Sequence, residues 1–216
     1  ADFFRTLFET FTQSILQEAP ATYASWLRPL REHFPEILVV DGSRLDAVCH
    51  RLKFLWSVRE AILPGAVTVF YDVFRGVSRR VFFYPHAMEA ELPRAQGEMD
   101  WIAPGSLIVG DRLYSAPQYF HRLAEMGLEL LTRRSKHLVV RRLRVLSSTQ
   151  HGRNFLDDIL VEVGCGALYP RLRLRLIRSR CPQRRLDLLT TVLDPEKLSA
   201  EQAVVLYGLR WSVERN

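Results

Sequence analysis

The order of apolar and polar residues divides the chain into segments with two different periodicities. An apolar residue at every third or fourth position is typical of an amphipathic helix, whereas short continuous or alternating apolar runs are typical of strands. The helical pattern covers 2–18, 20–33, 45–62, 116–126 and 199–216. The strand pattern covers 36–40, 66–74, 77–84, 107–109 and 128–132, with Arg75-Gly76 as the predicted turn of a hairpin between the second and third.

Residues 137–193 differ from the rest of the chain, because four alternating strand patterns follow one another there with polar turns between them. The helices and strands on either side predict an α/β protein built around a mixed sheet. We therefore expect four parts along the chain. They are an N-terminal helical segment at 1–35, the first part of the core at 36–136, a β-rich insertion at 137–193 and the final helix of the core at 194–216.

One strand of the β-rich segment alternates arginine with leucine. Arg171, Arg173 and Arg175 fall on one face of this strand, and leucines fall on the other. Such a basic face is either solvated or forms a track for a phosphate backbone. The formal net charge of +6 and the sequence pI of about 9.5 favour an acidic partner such as nucleic acid without identifying one.

Several classes of protein are disfavoured by what the sequence lacks. Cys49, Cys165 and Cys181 are scattered and have no C-x-x-C spacing, which argues against a disulfide framework or a cysteine zinc site and fits a reducing cytoplasm. No apolar run reaches the roughly 18 residues of a membrane span, and no signal peptide is visible. The glycine-rich phosphate loops and the common hydrolase motifs are also missing. We expect a cytoplasmic protein without membrane contact.

Two aspartates follow apolar strands. Asp41 comes directly after the run at 36–40, and Asp111 comes shortly after the run at 107–109. The exit of a buried strand is a place where open sheets position catalytic groups. Each aspartate also has a plainer explanation, since Asp-Gly is a common turn dipeptide and Asp111 can cap a turn or helix.

The final helix predicted at 199–216 begins with Ser199 and Gln202 at the spacing of a capping box, and it carries a third acidic residue. Tyr207, Arg210, Trp211 and Glu214 fall on one stripe of this helix. The stripe either faces a cleft or contains a solvated Arg–Glu pair, and Trp211 either stacks on a displaced base or packs on the sheet. If the three carboxylates meet, bound cations must neutralise them, and oxygen ligands favour Mg²⁺ or Mn²⁺. Two such ions about 4 Å apart can clamp the attacking and leaving oxygens of a phosphoryl displacement.

Three sequence motifs resemble the insertion-sequence transposases of the IS-four type. They are DGS at 41–43, GSLIVGDRLYSAPQYF at 105–120 and YGLRWSVE at 207–214. The last contains the Y-x2-R-x3-E part of the family signature Y-x2-R-x3-E-x6-K, whose lysine would lie beyond Asn216. The resemblance implies an RNase H-like mixed sheet flanked by helices, with a β-rich insertion before the last catalytic helix.

By this resemblance, Asp41, Asp111 and Glu214 hold two divalent ions, Mg²⁺ or Mn²⁺, while Tyr207 and Arg210 contact transposon-end DNA. The implied reaction is nicking of the end by water and strand transfer by the freed 3′-OH, in a homodimer that holds two double-stranded DNA ends. The implied location is the nucleoid of a bacterial cytoplasm. Two alternatives stay open: a catalytically inactive DNA-binding relative, and another RNase H-like nuclease such as a resolvase.

Overall fold

The computed structural model describes residues 25–44, 66–84, 99–165 and 169–213. The helices predicted over 2–18 and 45–62 lie outside these residues. The described helices are a 3₁₀ turn at Ser25–Leu27, α1 at Arg28–His33, a 3₁₀ turn at Arg112–Tyr114, α2 at Pro117–Glu125 and α3 at Ala200–Val213. The described strands are β1 at Ile37–Arg44, β2 at Ala66–Asp72, β3 at Val77–Tyr84, β4 at Leu107–Gly110, β5 at Glu129–Arg133, β6 at Val140–His151, β7 at Asn154–Cys165, β8 at Tyr169–Cys181 and β9 at Arg184–Thr190.

All nine described strands join one mixed sheet in the order β3-β2-β1-β4-β5-β9-β8-β7-β6. The central strands β1, β4 and β5 run parallel to one another, and every other neighbouring pair is antiparallel. The prediction of an α/β protein with a mixed sheet is therefore confirmed, and the arrangement is consistent with an RNase H-like transposase domain. In the described residues, no helix is long and apolar enough to cross a membrane.

Helices cover both faces of this sheet. Successive residues of β1 belong to two separate buried clusters, because successive side chains of a strand point to opposite faces of the sheet. Leu38 is in the first cluster and Val39 is in the second. The first cluster includes Phe120 of α2, and the second includes Leu30 of α1 and Leu206 of α3. Helices α1 and α3 thus lie on the face opposite α2.

The strands β6–β9 extend the central sheet. Strand β9 pairs antiparallel with β5, so that Leu131 lies opposite Thr190. The β-rich character predicted for 137–193 is confirmed by these four strands. That they form an insertion into a catalytic core stays a prediction.

Strand β1 is longer than predicted. It continues through Arg44, although the apolar run ends at Val40. The reason is that residues after Val40 still pair with β2, where Asp41 lies opposite Val69 and Arg44 lies opposite Ala66. Asp41 therefore lies inside a strand, and the expectation that it leaves the strand is wrong.

The hairpin between β2 and β3 also differs from its prediction. Strand β2 stops at Asp72, and residues 73–76 form the turn instead of Arg75-Gly76 alone. The buried carboxylate of Asp72 accepts hydrogen bonds from the backbone N–H of Phe74 at 2.9 Å and of Arg75 at 3.1 Å. These bonds end the strand early, and Gly76 closes the turn at a φ of 71° that favours glycine.

Candidate active site

The two aspartates lie at matching positions of neighbouring parallel strands. The parallel pairing of β1 with β4 ends with Val39 opposite Val109. Asp41 and Asp111 each follow that last pair by two residues. Since neighbouring strands lie about 4.8 Å apart, this register brings both carboxylates to the same edge of the sheet.

Asp111 also caps the 3₁₀ turn that follows β4. Its Oδ1 accepts a hydrogen bond from the backbone N–H of Leu113 at 2.7 Å, and its backbone carbonyl accepts one from the Thr132 hydroxyl. Asp111 therefore does cap a turn, as its plainer explanation predicts, and this role uses one of its two carboxylate oxygens. The side chain stays partly exposed, so capping does not remove it from the sheet edge.

The turn is tight because Tyr114 folds back over Gly110. A Cβ added to Gly110 would lie 2.8 Å from Cγ of the fully buried Tyr114 ring. Only a residue without a side chain fits at this position. The sequence GDRLY thus fixes the backbone directly before and after Asp111.

Helix α3 reaches the aspartate on β1. The Nη1 of Arg210 lies 3.3 Å from Oδ1 of Asp41, and the two side chains are 7% and 24% exposed. The start of the helix is the predicted capping box, in which Gln202 N–H donates to Ser199 Oγ at 3.2 Å and Ser199 N–H donates to Gln202 Oε1 at 2.9 Å.

Tyr207 is part of the core beneath this site. It is 1% exposed and belongs to the same buried cluster as Leu206. Burial raises the pKa of the Tyr207 phenol above 10.0, while Arg210 lowers it by its charge and its hydrogen bond, Asp111 raises it and Arg133 lowers it. The stripe of α3 that could face a cleft is therefore buried at Tyr207, and direct DNA contact by this ring is not supported.

Arg133 is a site residue that the sequence analysis missed. It is the exposed last residue of β5, the parallel neighbour of β4, and its charge acts on Tyr207. The sequence shows that Arg133 directly follows the apolar run at 128–132, but not that this strand lies beside β4. A cation therefore lies on the same sheet edge as the two aspartates.

Glu214 lies outside the described residues, and Trp211 is described only as a backbone position of α3. Within 25–44, 66–84, 99–165 and 169–213, no group of three His, Cys, Asp or Glu side chains is placed to hold a metal ion. Asp41 and Asp111 supply two carboxylates of the hard-oxygen type that Mg²⁺ and Mn²⁺ prefer. No third carboxylate of the described residues joins them.

The three arginines predicted to share an exposed basic face do not do so. Arg171 and Arg173 are exposed, but Arg175 is fully buried. Its guanidinium binds the carboxylate of Asp158 and the backbone carbonyls of Val192 and Leu198, which shield it from solvent. The prediction that Arg175 contacts DNA is wrong.

Residues 84–216, more than half of the chain, match the family model of the transposase DDE domain. The chain therefore belongs to this family, which makes it a transposase domain with DNA as its partner. Asp41 lies before the matched region, whereas Asp111 and Arg210 lie within it. No curated protein matches the chain.

Proposed function

We propose that the chain is the catalytic domain of an IS-four-type transposase that cleaves transposon ends and transfers the freed strand. The observation that supports this most strongly is the register of β1 and β4, which aligns Asp41 with Asp111 beside Arg210 of α3. The proposed core consists of 36–136 and 194–216, preceded by a helical segment at 1–35. Strands β6–β9 belong to an insertion at 137–193.

In this proposal, Asp41 and Asp111 hold two divalent ions, Mg²⁺ or Mn²⁺, together with Glu214. Glu214 follows Arg210 by four positions in the sequence, the spacing that places two residues on one side of a helix. The bound ions supply the charge that activates the attacking oxygen and stabilises the leaving oxygen of an in-line displacement.

Arg210 acts on the geometry of the site. Its contact with Asp41 is 3.3 Å long and nearly buried, so it fixes the carboxylate in one orientation and compensates its charge. We assign Tyr207 a supporting role, because its buried ring lies under the Arg210 guanidinium at 5.9 Å from the ring centroid. Arg133 is exposed on the same edge and is placed to meet a phosphate beside the scissile bond.

DNA binding by the insertion is assigned to four exposed arginines, which we call the basic face: Arg141, Arg144, Arg171 and Arg173. A β-bulge between Arg142 and Arg144 keeps Arg141 and Arg144 on one side of the sheet, opposite Glu162 and Leu160. Glu162 in turn lies opposite Arg173 on β8.

Two members of the basic face share one carboxylate oxygen. Arg141 Nε and Arg171 Nη1 lie 3.4 Å and 3.2 Å from the same Oε1 of Glu162. Glu162 pairs with two of these arginines and lies opposite a third, so the basic face keeps a surplus of positive charge, which suits phosphate contacts. The proposed enzyme works as a homodimer that holds two DNA ends.

The test is Mn²⁺-dependent nicking of duplex DNA that carries the ends of the element. We compare the wild-type protein with Asp111→Ala and with Asp100→Ala, an exposed aspartate outside the site as a matched control. Nicking by the wild type and by Asp100→Ala, but not by Asp111→Ala, is the expected result. Salt-dependent binding without nicking in any of the three would favour an inactive DNA-binding relative instead.

A further inference from the structure

Arg175 is a fully buried arginine that joins two parts of the chain. Its Nε donates to Oδ1 and Oδ2 of Asp158 at 3.0 Å and 3.2 Å, and its Nη2 also pairs with Oδ2. Its Nη1 donates to the backbone carbonyls of Val192 at 3.2 Å and Leu198 at 2.8 Å. The side chain is 0% exposed and that of Asp158 is 3% exposed. A guanidinium can make these bonds together because its donors form a rigid planar fork.

The two carbonyls lie at the two ends of one connection. Val192 follows the end of β9 at Thr190, and Leu198 directly precedes the Ser199 cap of α3. Arg175 itself lies opposite Thr190 in the sheet. The guanidinium therefore fixes both ends of the segment that leads from β9 into α3.

A shift at the start of α3 is transmitted to its far end. Arg210 lies 12 positions after Leu198, which corresponds to about 18 Å along a helix. A packed helix moves as a rigid rod, so a small rotation at Leu198 changes the contact between Arg210 and Asp41. A misplacement of about 1 Å at a reacting group can lower a rate by about a hundredfold.

We propose that Arg175 is a positioning residue, which sets the placement of α3 and thereby of the residues that α3 brings to Asp41. This inference rests on the proposed function for its effect on nicking. The anchoring itself rests only on the contacts of Arg175. This anchoring also gives the β-rich strands a second role besides DNA binding, because Asp158 belongs to β7 and Arg175 to β8.

Two variants separate anchoring from folding. Arg175→Lys keeps a charge beside Asp158 but lacks the fork that reaches the Val192 and Leu198 carbonyls. The double variant Arg175→Met/Asp158→Val removes both buried charges together, a replacement that buried ion pairs often tolerate without loss of stability. Arg178→Met on the same strand is the control. Successive side chains of a strand point to opposite faces, so Arg178, three positions after Arg175, lies on the other face of the sheet.

The first measurement is hydrogen–deuterium exchange in the full chain. We expect amides of 200–210 to exchange at least about tenfold faster in both Arg175 variants, while amides of β7 and β8 stay protected as in the wild type. The Arg178→Met control should leave both regions unchanged. Unchanged exchange in 200–210, or an equal rise across β7, β8 and α3, would overturn the proposal.

The second measurement is nicking in Mn²⁺. We expect both Arg175 variants to nick at least about tenfold more slowly and to need more Mn²⁺ for half-maximal rate, with unchanged DNA binding. Equal nicking by folded variants would contradict the positioning role. If the wild type itself binds DNA and does not nick, the proposed function fails, and the exchange measurement then decides the anchoring alone.

Discussion

Arg210 on the last described helix lies 3.3 Å from Asp41 on the first described strand, across 169 positions of the sequence. The contact is nearly buried on the arginine side and partly open on the aspartate side, at 7% and 24% exposure. It shows that α3 packs against the edge of the sheet at which the register of β1 and β4 places Asp41 and Asp111. The chemistry proposed for this edge therefore depends on how α3 is held.

The buried phenol of Tyr207 predicts a change of stability at alkaline pH. Because burial raises its pKa in the folded protein above 10.0, the folded state keeps its proton where the unfolded state loses it. This contribution to stability is fully present below pH 10 and is lost as the pH rises through the folded pKa. We expect the free energy of unfolding of the wild type to fall more steeply above pH 10 than that of Tyr207→Phe.

Urea unfolding at pH 8 and at a pH just above 10 checks this prediction. At pH 8, Tyr207→Phe should be less stable by about 1 kcal/mol, since it loses the hydrogen bond from Arg210. The difference should shrink at the higher pH. A constant difference at both pH values would mean that the phenol ionises in the folded protein as it does in the unfolded chain.

Gly110→Ala should destabilise the protein by about 1–3 kcal/mol, because the new methyl group would overlap the buried Tyr114 ring. The measurement is again the free energy of unfolding in urea. The same change at Gly208 is the matched control, since an added Cβ there meets nothing within 4 Å.

Gly208 lies inside α3, where alanine favours the helix over glycine by up to about 1 kcal/mol. We therefore expect the two glycine substitutions to change stability in opposite directions. Gly110→Ala without loss of stability would show that the turn after β4 can open, and that its tight packing does not fix Asp111.

The bulge in β6 predicts that equal losses of charge have unequal effects on DNA binding. Arg141→Gln/Arg144→Gln removes two members of the basic face, whereas Arg142→Gln/Arg153→Gln removes the same charge elsewhere. Arg142 lies opposite Val161, on the other side of the sheet, and Arg153 lies in the turn after β6. The first pair should reduce the slope of log K against log salt by about 2 units, one for each lost phosphate contact.

The control pair should leave that slope close to the wild-type value. The measurement is a titration of duplex DNA at several salt concentrations without divalent metal, so that nicking does not interfere. Equal slopes for the two double variants would show that binding follows net charge, and the basic face would lose its assignment.

Features set by neighbouring residues could be predicted from the sequence. The Ser199–Gln202 capping box and the strand before Asp111 both appear as expected, because each depends on residues within a few positions. The alternation of leucine and arginine in 171–176 likewise predicts a strand with two different faces.

Features set by distant parts of the chain could not be predicted in this way. Arg175 stands in the same alternating pattern as Arg173. It is nevertheless buried, because the segment from Val192 to Leu198 folds over it. Strand β1 continues past its apolar run because β2 pairs with it. Arg133 was missed because its importance depends on β5 lying beside β4, which the apolar run alone does not show.

Binding of Mn²⁺ by the free protein is the most direct test of a metal site shared by Asp41 and Asp111, since it needs no DNA substrate. Electron paramagnetic resonance of a Mn²⁺ titration reports the free ion, and we would compare the wild type with Asp41→Asn, Asp111→Asn and the exposed control Asp100→Asn. We expect the wild type and Asp100→Asn to bind Mn²⁺, and each of the other two substitutions to abolish this binding. Binding that survives both Asp41→Asn and Asp111→Asn would contradict a shared metal site at this edge of the sheet.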